Sequence, residues 1–228
     1  MINLKNVTLY GADTINLNRL LNVFAICEES AAFGNKKIFT KIEKNYVTDT
    51  GIEIINTEYI NNIKDYNNFN LKHLNDYIET DFVMVVEHDG FILNKDAWCP
   101  EFLNYDFIGA PMFVDGELVV GNGGFSIRSK KLLELTQTDE YIQLGDKANH
   151  VYEGNDDWTI SVVKRHYLER KGIKFAPVEI AHKFSFEKNK EYGNKWDGQF
   201  GFHGLSRTDI SEWIKENKKW GIENNLNF

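Results

Sequence analysis

An apolar run that ends abruptly in acids constrains this chain more than any other segment. Residues 81–90 have the sequence DFVMVVEHDG, whose middle is rich in β-branched side chains. A strand that is buried on both faces of a sheet has this continuous apolar pattern. Ligands of open α/β sheets bind beyond the carboxyl ends of such strands. The run therefore predicts a central strand that delivers Glu87 and Asp89 to the functional edge of a sheet.

Two interpretations of the acidic end remain open at this point. Glu87 and Asp89 are two residues apart, so in an extended segment both point to one side and His88 points away. Two carboxylates placed in this way could hold a hard divalent cation. Asp89-Gly90 is also an ordinary turn sequence, and an isolated pair of this kind is more often only a turn.

The segments before this run alternate between strand and helix patterns. Residues 7–11 resemble a first strand, and we expect the helix that follows to end at Gly34. Short strands follow at 37–40 and 52–55, and the polar stretch 61–70 leads into a further helix. The alternation predicts an α/β protein with a mostly parallel, doubly wound central sheet flanked by helices.

Composition limits the classes of function. With 228 residues the chain suits one domain with a full core. A net charge of -8 counts against nucleic acid as the main partner and suits a metal or another small cation better. Cys27 and Cys99 show no metal-ligand spacing, and neither a leader pattern nor a membrane-spanning apolar run is visible. We therefore expect a cytoplasmic protein whose membrane contact is peripheral at most.

A glycine-rich segment stands out after the acidic run. Residues 121–128 have the sequence GNGGFSIR, with three glycines in four positions. Glycine in a regular element costs backbone entropy, so it usually marks a positive φ or a close approach by another group. A plain hairpin loop is the alternative interpretation, and the strand-like FSIR that follows at once favours glycines lining the start of a strand.

Two later segments could complete a site at the same edge. Asp156 and Asp157 stand with Trp158 just before a helix pattern, and one acid is enough to cap a helix. If that helix end faces Glu87 and Asp89, the other acid is a candidate general base and Trp158 a platform for a substrate ring. Further on, His203 lies between glycines and aromatic residues, and imidazole is a common metal ligand.

Four segments in this order resemble the DUF5672 family of predicted glycosyltransferases: YDFIGAP at 105–111, VGNGGFSIR at 120–128, FAP at 175–177 and GFHG at 201–204. The resemblance runs from the first strand to His203 and is most specific in the GNGGFS segment. It implies the GT-A architecture of nucleotide-diphospho-sugar transferases, with a Rossmann-like, mostly parallel sheet. It also implies one GT-A-like domain over 1–228, in which residues 1–90 bind the nucleotide sugar and residues 91–228 bind the acceptor and complete the metal site.

The resemblance also implies roles for the candidate residues. The triplet at 87–89 matches the acidic Asp-x-Asp motif that holds a divalent metal on the donor diphosphate, with a glutamate in the first place. Asp89 and Glu87 would then be metal ligands, and His203 matches a histidine that completes the metal sphere.

Further roles follow from the same comparison. Asp157 matches the catalytic base of inverting enzymes, and Asp156 matches a contact to the acceptor hydroxyl or a helix cap. The acceptor pocket would be shaped by Gly123, Gly124 and Trp158. The nucleotide or its phosphates would be contacted by Tyr10, Asp13 and Lys72, together with the acids at 87 and 89. In a helix pattern, Lys72 is equally typical of a solvated lysine.

With these residues in place, the resemblance implies a metal-dependent glycosyltransferase that moves a sugar from a nucleotide-diphosphate sugar, with a UDP-sugar as first choice, to a hydroxyl acceptor such as a glycan. Mn²⁺ or Mg²⁺ would be the cofactor, and a carboxylate base favours inversion. One alternative is a sugar nucleotidyltransferase, against which the acidic loop at 11–13 counts, because a triphosphate needs a basic one. Another is a non-catalytic carbohydrate-binding module with a degenerate acidic motif, which the aromatic content of 14% suggests.

Overall fold

The structure, a computed structural model, describes residues 1–143, 155–187 and 196–204. In chain order the strands are β1 (Ile2–Ala12), β2 (Ala31–Thr40), β3 (Tyr46–Val47), β4 (Glu53–Asn56), β5 (Phe82–Val86), β6 (Gly90–Ile92), β7 (Phe107–Ile108), β8 (Pro111–Val114), β9 (Glu117–Val120), β10 (Phe125–Ser129), β11 (Ser185–Phe186) and β12 (Gly201–His203). The α-helices are α1 (Leu17–Ser30), α2 (Ile63–Lys72), α3 (Lys130–Thr136), α4 (Asp139–Gln143), α5 (Asp156–Trp158), α6 (Arg165–Arg170) and α7 (Val178–Phe184). A π-helical turn, Thr159–Val163, continues α5.

A seven-stranded sheet in the order β3-β4-β2-β1-β5-β10-β7 forms the centre of the fold. The neighbours β4, β2, β1 and β5 are parallel, whereas β3, β10 and β7 pair antiparallel. The predicted α/β class and the mostly parallel central sheet are confirmed. From β1 the chain passes through α1, on one face of the sheet, to β2 and then to β4. It returns through α2, on the opposite face, to β5, which pairs with the other edge of β1. The β1/β5 boundary is thus the switch point at which open α/β sheets bind ligands.

The apolar run that ends in acids is β5, a central strand as predicted. Val83 and Val85 pack into a core with residues of α2 and α3. Met84 and Val86 pack on the opposite face, in a core that contains the apolar side of α1. Because successive side chains of a strand point to opposite faces, burial of both faces explains why the run is apolar without alternation.

A three-stranded sheet in the order β11-β12-β6 adjoins the central one. β12 runs antiparallel to β6 and parallel to β11. Buried phenylalanine rings join the two sheets: the ring of Phe125 on β10 stacks on that of Phe184 with centroids 5.0 Å apart and lies 5.9 Å from that of Phe200. Since β6 starts at Gly90, the smaller sheet begins directly after the turn that carries Glu87 and Asp89.

Two short features of the fold follow directly from the local sequence. Ser129 caps α3, since its hydroxyl accepts a hydrogen bond from the backbone N–H of Leu132 at 3.0 Å. Asp115 and Gly116 form the hairpin turn between β8 and β9, with φ angles of 50° and 93°. Tight hairpin turns of this kind require positive φ at both central residues, which explains the Asp-Gly pair.

The predicted end of α1 at Gly34 is wrong. The helix ends at Ser30, and β2 begins at the next residue. Gly34 lies inside β2, where a Cβ atom would come within 2.2 Å of the carbonyl oxygen of Lys5. The register between β1 and β2 shifts between Leu4 and Thr8. Gly34 therefore marks the close approach of two strands at an irregularity and not a helix terminus.

The polar stretch 61–70 is itself mostly helix, rather than the lead-in to a later one. α2 starts after Asn62, whose side chain accepts a hydrogen bond from the backbone N–H of Asp65 at 3.0 Å. Asn67 and Asn70 are buried within it. Hydrophobic periodicity fails to indicate this helix because part of its inward face is polar.

The domain prediction includes residues 144–154, 188–195 and 205–228, which lie outside the described part of the chain. Within that part, β10 and β7 complete a sheet begun by strands from the first 90 residues, so the two predicted halves share one sheet. No helix in the described ranges is both long and apolar enough to cross a membrane.

Candidate functional site

The two acids at the end of β5 flank a tight turn. The backbone N–H of Glu87 donates to the carbonyl oxygen of Gly90 at 3.2 Å, and that of Gly90 donates to the carbonyl of Glu87 at 3.1 Å. The turn interpretation is therefore confirmed. The turn keeps both carboxylates at the sheet edge, and the metal site there stays a prediction. The side chain of His88 is 42% exposed, and its Nδ1 atom lies 3.8 Å from Oδ1 of Asp89. It does not belong to the group of close potential ligand atoms that Glu87, Asp89 and His203 form.

His203 reaches this turn from β12. In the antiparallel pairing of β12 with β6, His203 lies opposite Gly90, and the backbone N–H of Gly204 donates to the carbonyl of Asp89 at 2.8 Å. Nε2 of His203 lies 3.4 Å from Oε2 of Glu87 and 3.8 Å from Oδ1 of Asp89. The structure thus brings together the three residues that the sequence predicted as metal ligands.

The cluster of Glu87, Asp89 and His203 fits a divalent cation. One potential ligand atom from each residue lies within 4.8 Å of the other two. Oxygen ligands lie roughly 2.0–2.6 Å from Mg²⁺ or Ca²⁺, so ligands on opposite sides of one ion are about 4–5 Å apart. Oδ1 of Asp89 is shielded from solvent and has no hydrogen-bond partner among the described residues. The two carboxylates suit Mn²⁺ or Mg²⁺, and the imidazole favours Mn²⁺ of the two.

The charges in this cluster are strongly coupled. Burial alone would lower the pKa of His203, but the carboxylates of Glu187 and Glu87 raise it well above its usual value. Burial alone would raise the pKa of Glu87, but His203 and the Tyr66 hydroxyl, which donates to Oε1 at 3.1 Å, hold it below its usual value. The raised pKa of His203 favours its protonated form, whose positive charge would lie among these carboxylates. A divalent cation could supply the same charge, and its binding would release the proton.

Gly124 creates the space in which His203 lies. A Cβ atom on Gly124 would come within 2.1 Å of Nε2 of His203, and one on Gly90 within 3.0 Å of its Cδ2 atom. Neither glycine has a positive φ. Of the two reasons for glycine that the sequence left open, the close approach of another group is the one that holds here.

Asp157 packs on the preceding glycine. A Cβ atom on Gly123 would come within 2.8 Å of Cβ of Asp157. The backbone N–H of Gly123 donates to Oδ2 of Asp157 at 3.0 Å, and that of Trp158 donates to Oδ1 at 2.7 Å. Burial, followed by the charge of Asp156, raises the pKa of Asp157 to about 7. A half-buried carboxylate with this pKa can exchange protons near neutral pH.

Asp156 has different surroundings from its neighbour. It is 5% exposed, and its Oδ2 atom forms an ion pair with Nη1 of the fully buried Arg128 at 2.6 Å. The same oxygen accepts a hydrogen bond from the side-chain amide of Asn70 at 3.1 Å. Its side chain does not cap α5. The predicted helix cap is therefore wrong, and these contacts give Asp156 a structural role. Its contact with an acceptor hydroxyl stays a prediction.

Tyr10 also differs from its prediction. The side chain is completely buried, and its hydroxyl donates to Oδ1 of Asn70 at 2.8 Å. A nucleotide could not reach a residue in this position without opening the core. Tyr10 therefore orients the side chain of Asn70, which in turn donates a hydrogen bond to Asp156.

Asp13 shapes the loop between β1 and α1. Its Oδ1 accepts hydrogen bonds from the backbone N–H groups of Ile15 and Asn16, both at 2.9 Å. Its Oδ2 forms an ion pair with Arg19 at 2.7 Å. Lys72 lies in the last turn of α2, and within the described residues no hydrogen bond or ion pair joins it to the other candidates. The contact of Lys72 with nucleotide or phosphate stays a prediction.

A cleft of about 450 Å³, lined mainly by residues with polar side chains, lies beyond the ends of β2 and β4 at the same sheet edge. It is lined by Lys41, Ile42, Glu43, Asn56, Thr57, Glu58 and Asn61. Thr57 is 1% exposed, and its hydroxyl has no hydrogen-bond partner among the described residues. In the sheet order β1 and its Asp13 loop separate this cleft from the acids that follow β5.

Four residues that organise the site were not among the predicted site residues, namely Tyr66, Asn70, Arg128 and Glu187. Tyr66 and Asn70 lie one helical turn apart on α2, so this helix holds both Glu87 and Asp156. The available signals were an asparagine-rich helix with polar residues at helical spacing, and an arginine inside a strand sequence. An arginine in a buried strand requires a carboxylate partner.

The fold and the site define an α/β protein with a carboxylate–imidazole cluster at the end of a central strand and a second acidic site close by. The chain belongs to the family described as Protein of unknown function (DUF5672), whose model matches residues 49–203. The match ends at the histidine of the cluster, and it excludes β1, α1 and β2, where the resemblance was expected to begin. No curated protein matches the chain.

Gly124→Ala should lower the free energy of unfolding by about 1–3 kcal/mol, because the new methyl group overlaps the imidazole of His203. In a His203→Ala background the same change should cost much less, since the overlap is gone. Chemical denaturation of the two single variants and the double variant measures this coupling. Strictly additive costs would show that the two residues do not pack together.

Asp156→Asn should destabilise the fold by about 3–5 kcal/mol, because it leaves the buried charge of Arg128 unpaired. It should also lower the pKa of Asp157 from about 7, because the neighbouring negative charge is lost. Chemical denaturation measures the first effect, and a ¹³C NMR titration of the Asp157 carboxyl measures the second. Glu140→Gln, which breaks an exposed ion pair with Lys171, is the control and should change neither quantity appreciably.

Proposed function

We propose that this protein is a metal-dependent glycosyltransferase of the GT-A type, which moves a sugar from a nucleotide-diphosphate sugar to a hydroxyl acceptor. The observation that carries the proposal is the packing of two chemically different groups against two consecutive glycines. His203 of the candidate metal cluster packs on Gly124, and Asp157, the candidate base, packs on Gly123. Consecutive Cα atoms are about 3.8 Å apart, so this distance separates the Cα atom on which His203 packs from the one on which Asp157 packs.

The leaving group in such a reaction is a nucleoside diphosphate, and the accumulation of negative charge is its main obstacle. Glu87, Asp89 and His203 would hold Mn²⁺ or Mg²⁺. When bound, the cation supplies positive charge that stabilises the departing diphosphate. The chain contributes a shielded, carboxylate-rich cluster whose ligand atoms already lie close together, so little rearrangement is required.

Asp157 would accept the proton of the attacking hydroxyl. Two backbone N–H groups orient its carboxylate, and each oxygen keeps a further lone pair for a substrate. Its pKa of about 7 is well matched to this task, because a base works best when its pKa lies near the operating pH. A carboxylate that acts directly on the acceptor favours inversion at the sugar. Trp158, next to it, would offer an apolar face to an acceptor sugar ring.

The nucleotide of the donor would lie along the edge of the sheet. The switch point between β1 and β5 places the Asp13 loop next to the acids, and the cleft beyond β2 and β4 lies further along the same edge. The buried hydroxyl of Thr57 in that cleft would gain a partner from a polar ligand. A UDP-sugar is the first donor to test, and a glycan is the first acceptor class. A cytoplasmic setting stays a prediction.

The direct test is incubation with UDP-, GDP- and dTDP-sugars in the presence of Mn²⁺. We expect slow donor hydrolysis with at least one sugar nucleotide, and its loss in Asp89→Ala and on chelation of the metal. Asp96→Ala, at an exposed acid seven residues further along the chain, is the control and should keep full activity. Sugar binding that needs no metal would instead favour the carbohydrate-binding module. Formation of a sugar nucleotide from a nucleoside triphosphate would favour the nucleotidyltransferase.

Asp157→Asn should lower the turnover number of the transfer about 10²–10⁴-fold, because the base is lost while the shape of the side chain is kept. A base acts in its deprotonated form, so wild-type activity should rise as the pH increases through about 7 and fall below it. Burial raises the pKa of Asp157 most and the charge of Asp156 raises it further, whereas the backbone hydrogen bonds from Trp158 and Gly123 and the charge of Arg128 lower it. The residual activity of the Asp157→Asn variant should not show this rise with pH. An unchanged pH profile in the variant would exclude Asp157 as the base.

A further inference from the structure

The cluster at the sheet edge includes a third carboxylate, for which neither the sequence analysis nor the proposed reaction has a role. Glu187 directly follows β11, and Phe186 of β11 pairs in parallel register with Phe202 of β12. Glu187 and His203 thus follow paired residues on neighbouring strands. Oε2 of Glu187 lies 3.5 Å from Nδ1 of His203, and the Glu187 side chain is only 12% exposed.

The two ring nitrogens of His203 face different groups. Nδ1 faces Glu187, whereas Nε2 faces Glu87 at 3.4 Å and Asp89 at 3.8 Å. A neutral imidazole carries a hydrogen on one nitrogen and a lone pair on the other, and only the lone pair can bind a cation. A carboxylate at Nδ1 favours the hydrogen there, because a carboxylate accepts hydrogen bonds and cannot donate one.

The backbone holds the ring in this orientation. β12 lies between β11 and β6, so His203 stands between the strand that precedes Glu187 and the strand that follows Asp89. The Cα atoms of Gly124 and Gly90 lie so close to the ring that neither position could carry a Cβ atom without a shift. The three-stranded sheet therefore fixes Glu187 and Asp89 beside the imidazole of His203.

We propose that Glu187 is a positioning residue, whose carboxylate accepts the Nδ1 hydrogen of His203 and thereby directs the Nε2 lone pair into the space between Glu87 and Asp89. The inference rests on the proposed function, because an Nε2 lone pair in that place is useful only to a bound cation. Carboxylates that hold a ligating histidine in this way typically change metal affinity 10–100-fold. Glu187 also adds a third negative charge to the surroundings of the cation.

The test compares Mn²⁺ binding to the wild-type chain and to Glu187→Gln by isothermal titration calorimetry. We expect the variant to bind Mn²⁺ roughly 10–100-fold more weakly. Glu187→Asp keeps the negative charge but moves it away from His203 by one methylene group. Its affinity for Mn²⁺ should therefore lie between those of the wild type and Glu187→Gln. ¹⁵N NMR of the histidine ring in metal-free protein, at a pH where the ring is neutral, gives the second measurement. The wild type should carry the hydrogen on Nδ1, and Glu187→Gln should shift the balance towards Nε2.

The matched control is Glu169→Gln. Glu169 faces Nδ1 of His166 at 3.4 Å, the same pairing at an exposed place where the histidine side chain is 89% exposed. This variant should leave Mn²⁺ affinity unchanged. If Glu187→Gln binds Mn²⁺ as tightly as the wild type and its His203 tautomer is unchanged, the inference is overturned while the metal cluster stands. If the wild type itself binds no Mn²⁺, the proposed metal centre fails, and the tautomer measurement still decides whether Glu187 orients the ring.

Discussion

The buried ion pair between Arg128 and Asp156 is the interaction on which the arrangement of the site depends. Arg128 is almost completely buried on β10, and a guanidinium in such a place is tolerable only with a carboxylate against it. Asp156 supplies that carboxylate from the first residue of α5. This ion pair holds the start of α5 against the central sheet. As a result the next residue, Asp157, packs on Gly123. A stabilising acid and a chemically competent acid thus follow one another in the chain.

α2 connects the two acidic sites. Tyr66 donates to Glu87, and Asn70, one turn later, donates to Asp156 while accepting from Tyr10. A helix whose inward face is partly polar is a poor contributor of hydrophobic free energy. Its side chains instead satisfy buried polar atoms that would otherwise destabilise the fold, and they fix the orientation of both carboxylates. Displacement of α2 would therefore disturb both acidic sites.

Much of this was predictable from local patterns. The apolar run of β5, the Asp115-Gly116 turn and the Ser129 cap each depend on neighbours in sequence, and each is found. The convergence of Glu87, Asp89 and His203 was inferred by comparison with a family pattern, since the residues are far apart in the chain. Gly34 and the stretch 61–70 were misassigned for one reason. A glycine required by strand contact resembles a helix stop, and a helix with a polar inward face resembles a loop.

The sequence by itself determined the α/β class, the central strand and the residue types at its end, because strand and helix periodicity and turn chemistry act over a few residues. Only the tertiary structure decided which nitrogen of His203 faces Glu187, which acid of the pair is taken by Arg128, and why Gly123 and Gly124 lack side chains. Those outcomes depend on atoms that strand pairing brings together from distant parts of the chain. The environment of a carboxylate, and hence its chemistry, is set by that pairing and is not a property of its own segment.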